Sequence, residues 1–91
     1  ENEKGKRIMA HVRAKIRLET TLDVANFISK VNSDGTIDKY VLEDFDGVRR
    51  VDARSYLGVM YASAEFGGEI YLVNMTEDGK FPAGIDLFRP N

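Results

Sequence analysis

Arg54-Ser55-Tyr56-Leu57-Gly58-Val59-Met60 is where the chain changes period, and the fold is read outward from it. Just before it, Val48 to Ala53 reads as a strand, and Asp46-Gly47 supplies a tight connection to another strand at Ile37 to Glu43, so the pair is expected to form a hairpin. Ser55 is a preferred N-cap type and opens a helix of about ten residues, in which Leu57, Met60, Tyr61 and Ala64 are the expected buried stripe. Phe66-Gly67-Gly68 ends that helix, with glycine suited to a left-handed cap. Glu69 to Met75 is apolar enough for a strand buried on at least one face, and Thr76-Glu77-Asp78-Gly79 is a turn.

Toward the N-terminus, apolar Ile8, Ala10, Val12, Ala14, Ile16 and Leu18 alternate with His11, Arg13, Lys15 and Arg17, which is strand periodicity. Thr20 or Thr21 then caps a helix over about 21 to 32. Its Leu22, Val24, Ala25, Phe27, Ile28 and Val31 recur at three- and four-residue spacings, and Asn32-Ser33-Asp34-Gly35 stops it. The element order is β-α-β-β-α-β. Two helices that each bury one stripe are accommodated together on one face of a single sheet, an open-faced α+β sandwich.

Composition sets the outer bounds. Ninety-one residues, 43% hydrophobic and 31% charged, form one domain (1–91), with a core over about 8–76 and a tail at 77–91. There is no cysteine, and the single histidine, His11, has no second histidine or thiol with which to build a metal or nucleophile site, so no metal and no cofactor is expected. No apolar run is long enough to span a bilayer, and no signal-peptide core follows the polar start, so the expectation is a soluble, cytoplasmic protein. The net charge of −2 hides an asymmetry: residues 1 to 17 hold six basic and two acidic side chains, and the remainder is acidic. That split either steers an anionic partner or pairs with itself across the fold.

Ser55-Tyr56-Leu57-Gly58-Val59-Met60 is similar to the serine segment, usually Ser-Ile-Met-Gly-Val-Met, of the HPr family, the histidine-containing phosphocarriers of the bacterial sugar phosphotransferase system. Gly67-Gly68-Glu69-Ile70 matches the residues that open that family's last strand, and the resemblance covers residues 10 to about 76. It implies a four-stranded antiparallel sheet with the helices on one side. The family carries its phosphate on a histidine just before the first helix, in a pattern close to Leu-His-Ala-Arg-Pro-Ala. Here the stretch is Leu18-Glu19-Thr20-Thr21-Leu22-Asp23-Val24-Ala25, without histidine, arginine or proline. A phosphohistidine needs an imidazole nucleophile, and Glu19 and Asp23 repel an incoming phosphate. Where the family continues into a long third helix, Asp78 to Asn91 has two prolines, two glycines and no helical stripe, so an extended, non-helical tail is expected. Phe81, Ile85, Leu87 and Phe88 either fold back over the apolar surface or pair at a sheet edge, the tail or edge then offering a route to a homodimer.

The resemblance therefore implies a non-enzymatic, regulatory or protein-binding module of the phosphotransferase-system type in a bacterial cytoplasm. Its expected partner is a protein, such as a kinase or regulator of that system, met through Arg54, Tyr56, Leu57 and Met60. Ser55 is the regulatory phosphorylation site the family implies; read from its position alone, it is an N-cap. The alternative is an anion- or nucleic-acid-binding face formed by His11, Arg13, Lys15 and Arg17, but the acidic total and the lack of a basic-aromatic motif argue against nucleic acid. Asp44, Asp46 and Asp52 could be proposed as catalytic carboxylates, yet turns and helix starts explain them, and no nucleophile and base stand out.

Overall fold

The computed structural model describes residues 12–33 and 39–90. In chain order these form β1 (Val12–Ile16), α1 (Thr21–Ser33), β2 (Tyr40–Glu43), β3 (Arg50–Asp52), α2 (Tyr56–Glu65) and β4 (Ile70–Asn74), followed by a single 3-10 turn at Ile85–Phe88. The four strands make one sheet in the order β1-β4-β2-β3, and every neighbouring pair is antiparallel. The expected first strand from Ile8 begins outside the described residues and ends two residues early. After Ile16 the chain leaves the sheet: the Arg17 amide donates to the Phe88 carbonyl at 2.7 Å, and Leu18 turns into the core.

Register explains the layering. Ala14, Leu72, Leu42 and Val51 lie side by side across all four strands, and their row faces the helices. The next row, Lys15, Tyr71, Glu43 and Arg50, faces the other way, because successive strand residues alternate between faces. Val24, Phe27 and Val31 of α1 and Val59 and Ala62 of α2 all enter the one cluster built on the first row. That arrangement is compatible with the open-faced sandwich expected from the sequence.

Helix α1 begins where the threonines predict. The Asp23 amide donates to Thr20 Oγ1 at 3.1 Å, and Asp23 Oδ2 accepts from the Glu19 and Thr20 amides at 2.9 and 3.1 Å. Three amides of the helix start are thus satisfied by a reciprocal cap. Of the expected stripe, Val24, Phe27 and Val31 are buried and Ile28 is partly buried, while Leu22 is 66% exposed and Ala25 is also exposed.

Helix α2 departs from its expected stripe. Val59 and Ala62 are buried and Met60 only borders the core; Leu57, Tyr61 and Ala64 point outward. The cause is the close approach of Gly58 to β3. A Cβ there would lie 3.3 Å from the Asp52 carbonyl oxygen, the Val51 Cβ and the Ser55 Cβ, so the glycine side sets how the helix is seated. Because α2 is apolar nearly all round, hydrophobic spacing alone could not choose between the two faces.

Among the described residues the tail after β4 contains no α-helix, as expected, but it is not extended throughout: Ile85–Phe88 make a 3-10 turn. Gly84, at φ 86°, begins that turn in the left-handed region, with the Lys30 aliphatic stem lying against it. Ile85 and Phe88 are buried and Phe81 is packed against the core, so the tail folds back over its own chain, whereas Leu87 stays exposed. The ring of Phe88 meets Phe27 edge-on, with centroids 5.6 Å apart.

Candidate functional site

The segment between β3 and α2 is held by backbone and carboxylate contacts before any partner is considered. Asp52 organises it: its Oδ1 accepts from the Arg54 amide at 2.8 Å, and its carbonyl accepts from the Ser55 amide at 3.1 Å. Ser55 has extended backbone angles, and its Oγ accepts from the Gly58 amide at 3.1 Å. The serine is an N-cap in fact as well as by type. Replacing Ser55 with Ala leaves that amide without its partner, and a loss of about 1 kcal/mol is expected, seen in thermal unfolding as a fall in Tm of about 4–8 °C.

The surface beyond the cap is apolar. Tyr56, Leu57, Tyr61 and Ala64 are exposed, Leu57 at 79%, and the only charged residue in α2 is Glu65 at its end. Met60, expected on this surface, instead lies partly buried at the core margin, and Arg54 reaches away to donate to Asn32 Oδ1 at 2.8 Å. Helix α1 runs antiparallel beside it: Asn32 near the end of α1 meets Arg54, while Thr21 and Val24 near its start share a cleft of about 190 Å³ with Met60 and Ser63. The outward residues of α1, Leu22, Ala25, Asn26 and Ser29, are uncharged as well. Two adjacent helices therefore present a nearly chargeless outer face in a chain that is 31% charged.

Sequence reasoning put Tyr61 in the buried stripe, whereas it lies on the surface, and gave Arg49 no role. The Arg49 guanidinium donates to Asp44 Oδ2 at 3.2 Å and to the Glu65 carbonyl at 3.0 Å, and it stacks 4.9 Å from the centre of the Phe66 ring. It thus fastens the end of α2 to the hairpin. Tyr61 packs edge-on against the same ring. Asp44 is committed to holding this junction, and its carboxylate also accepts from the Val48 and Arg49 amides. Desolvation works against its ionisation, but the hydrogen bonds from Arg49 and the two amides outweigh that and hold its pKa below the usual carboxylate value.

The basic alternation of the first strand is neutralised where it is described. His11 lies outside the described residues. Arg13 stacks on Tyr71 at 4.1 Å, donates to the Asp44 and Phe45 carbonyls and stands 3.8 Å from Glu43. Lys15 donates to Glu69 Oε2 at 3.0 Å, and Arg50 binds Glu43 Oε2 at 2.6 Å. The hydrogen bond and charge of Glu69 raise the Lys15 pKa, and the same bond, with a second from Tyr71, lowers that of Glu69. Arg17 is beyond the strand, 3.7 Å from Glu19. An anion arriving on this face has to displace a carboxylate from each cation it approaches.

The start of α1, where the resemblance puts the phosphate-bearing site, holds an internal carboxylate in that role. Hydrogen bonds from the Glu19 amide, then from Thr20, keep Asp23 ionised below the usual carboxylate range. No family model, curated protein or solved structure matches this chain. Among the described residues no group of three or more His, Cys, Asp or Glu side chains is placed to hold a metal ion, and no helix is long and apolar enough to cross a membrane. The outer helical face is therefore the feature that most calls for a function.

Proposed function

We propose that this chain is a non-catalytic, HPr-like protein-binding module of the phosphotransferase-system type, working in a bacterial cytoplasm. It meets its partner, a kinase or regulator of that system, through the outer face of α2. The observation that carries this reading is the exposed, uncharged surface of Tyr56, Leu57 and Tyr61 immediately after a capping serine. Apolar side chains at that density on a helix surface gain about 25 cal/mol per Å² when a partner removes them from water, and a solitary domain has no use for them there. Ser55 is the regulatory element. Its phosphoryl group would sit at the helix N-terminus, stabilised by the helix dipole, and would place about two negative charges beside Leu57.

The reading is tested by affinity capture from a bacterial lysate with wild type and with Leu57→Asp, each checked for the same circular dichroism spectrum. Wild type is expected to retain a component of the phosphotransferase system, identified by mass spectrometry, and Leu57→Asp is expected to lose it. Incubation with phosphoenolpyruvate and Enzyme I is expected to leave the chain unlabelled. Acid-labile label on the protein would overturn the non-catalytic reading.

A further inference from the structure

Strand register decides which backbone groups of the two edge strands are in use. The Met75 amide donates to the Lys39 carbonyl at 2.7 Å, so the odd-numbered residues of β4 bond to β2, and Ile70, Leu72 and Asn74 bond to β1. Their partners Ile16, Ala14 and Val12 therefore direct their N–H and C=O groups into the sheet, and those of Arg13, Lys15 and Arg17 point out of its edge. At Arg17 the outward amide is taken by the Phe88 carbonyl, at 2.7 Å. No described residue pairs with the outward backbone groups of Arg13 and Lys15. The opposite edge is less open. On β3 Arg49 and Ala53 bond inward, to Asp44 and Tyr40, and of the outward residues Arg50 and Asp52 the second already uses its carbonyl to accept from the Ser55 amide at 3.1 Å.

Edge strands are commonly guarded by charged side chains that stand over the edge. Arg13 and Lys15 do not stand there. Arg13 is drawn back across the sheet, stacked on Tyr71 and donating to the Asp44 and Phe45 carbonyls, and Lys15 is drawn to Glu69 beside β4. The backbone from Arg13 to Lys15 is left bare.

We propose that β1 pairs antiparallel with β1 of a second copy about a two-fold axis at Ala14, joining the two sheets into one continuous sheet. What selects a second copy is the span itself. Donors and acceptors at Arg13 and Lys15, with a small residue between them, form a pattern that reads the same after a two-fold rotation. The axis sets Arg13 opposite Lys15 of the second copy and Lys15 opposite Arg13, and each pair exchanges both of its N–H···O bonds. Ala14 meets Ala14 of the second copy at the non-hydrogen-bonded position, where Cα atoms approach to about 4.5 Å and a short side chain is admitted. A slip toward Arg17 is closed off, because Phe88 holds that amide. Like charge across the pair does not oppose the contact, since each cation is withdrawn to acceptors of its own copy. The inference does not rest on the reading of α2, which packs on β2 and β3 away from this edge.

Sedimentation equilibrium on the full chain over a concentration series tests it, with circular dichroism confirming that each variant is folded. Wild type is expected to pass from monomer to dimer. Lys15→Pro removes an outward amide and leaves the ladder to β4 intact, and it is expected to weaken dimerisation by about 10- to 100-fold, because one bond is lost from each of the two pairs. Lys15→Ala keeps the amide and is expected to dimerise as wild type does, which separates backbone pairing from the lysine charge. The chain has no cysteine, so single cysteines report the register. Ala14→Cys is expected to give a disulfide-linked dimer on mild oxidation, since Cα atoms about 4.5 Å apart are within disulfide reach. Val12→Cys, which lies opposite Ile16 of the second copy, is expected to stay unlinked. A wild type that remains monomeric at every concentration, a Lys15→Pro variant that dimerises as well as Lys15→Ala, or cross-linking of Val12→Cys as readily as Ala14→Cys overturns the proposal. Leu57→Asp is expected to dimerise like wild type while losing its captured partner, so failure of the α2 reading and failure of this one are seen separately.

Discussion

Replacing Phe27 with alanine is expected to cost about 3–5 kcal/mol, the range for emptying a buried phenylalanine site, out of a total stability of about 5–15 kcal/mol for a domain of this kind. Phe27 is fully buried at the centre of α1, and its ring is the one that Phe88 meets edge-on. Its loss therefore acts twice. The cavity removes packing between α1 and the sheet, and the tail loses the aromatic surface that holds its 3-10 turn. Urea unfolding followed by circular dichroism is expected to show a midpoint far below wild type. Limited proteolysis in buffer is expected to cut between 80 and 90 well before the rest of the chain. A stability within about 1 kcal/mol of wild type would show that the core does not depend on this ring.

The second large effect is expected at Asn74, a fully buried polar side chain at the end of β4. Its amide donates to Asp78 Oδ1 and to the Lys80 carbonyl, both at 2.6 Å, and its oxygen accepts from the Thr76 amide and hydroxyl. Every hydrogen-bonding position of the side chain is used to close the turn after β4. Asn74→Ala removes one hydrogen bond from each of four polar groups, and a loss of about 2–4 kcal/mol is expected with the urea m-value unchanged. The pH dependence identifies the mechanism. The Lys80 amide, then the Lys39 ammonium at 2.9 Å and the Asn74 amide hold the Asp78 pKa far below the usual carboxylate range. A depressed folded-state pKa contributes stability that is present above the unfolded value, about 3.9, and is lost as the pH falls toward the folded one. The gap between wild type and Asn74→Ala is therefore expected to narrow below about pH 4, where ionised Asp78 no longer favours the native state as strongly. A gap that stays constant through that range would assign the loss to packing alone.

Local chemistry made much of the fold legible. Thr20 marks the start of α1, Ser55 marks α2, and Asp46-Gly47 marks the hairpin, because each satisfies backbone groups within a few residues of itself. What the sequence hid was decided at long range. The seating of α2 was settled by Gly58 against Val51 and Asp52, not by the spacing of its large apolar residues, so the stripe of Leu57, Tyr61 and Ala64 turned out to be the outer one. The carboxylate partners of Arg13 and Lys15 were hidden for a related reason. Glu43 and Glu69 lie far along the chain from Arg13 and Lys15, and only strand pairing brings them alongside. For the candidate surface, Tyr56 and Leu57 were readable from the serine segment, but Met60 was drawn toward the core once the helix was seated.

The placement of β4 between β1 and β2 carries a consequence for biosynthesis. During translation β1, α1, β2 and β3 all leave the ribosome before the strand that fills the central slot, so a growing chain holds β1 apart from the β2–β3 hairpin, each with unsatisfied edges, until residue 74 has emerged. Closure is then a late event that depends on pairing between β1 and β4, the first and last strands of the sheet. Truncation before Ile70 is expected to leave no smaller stable unit, only an aggregation-prone intermediate with open strand edges, so the sheet is expected to close only once its last strand is available.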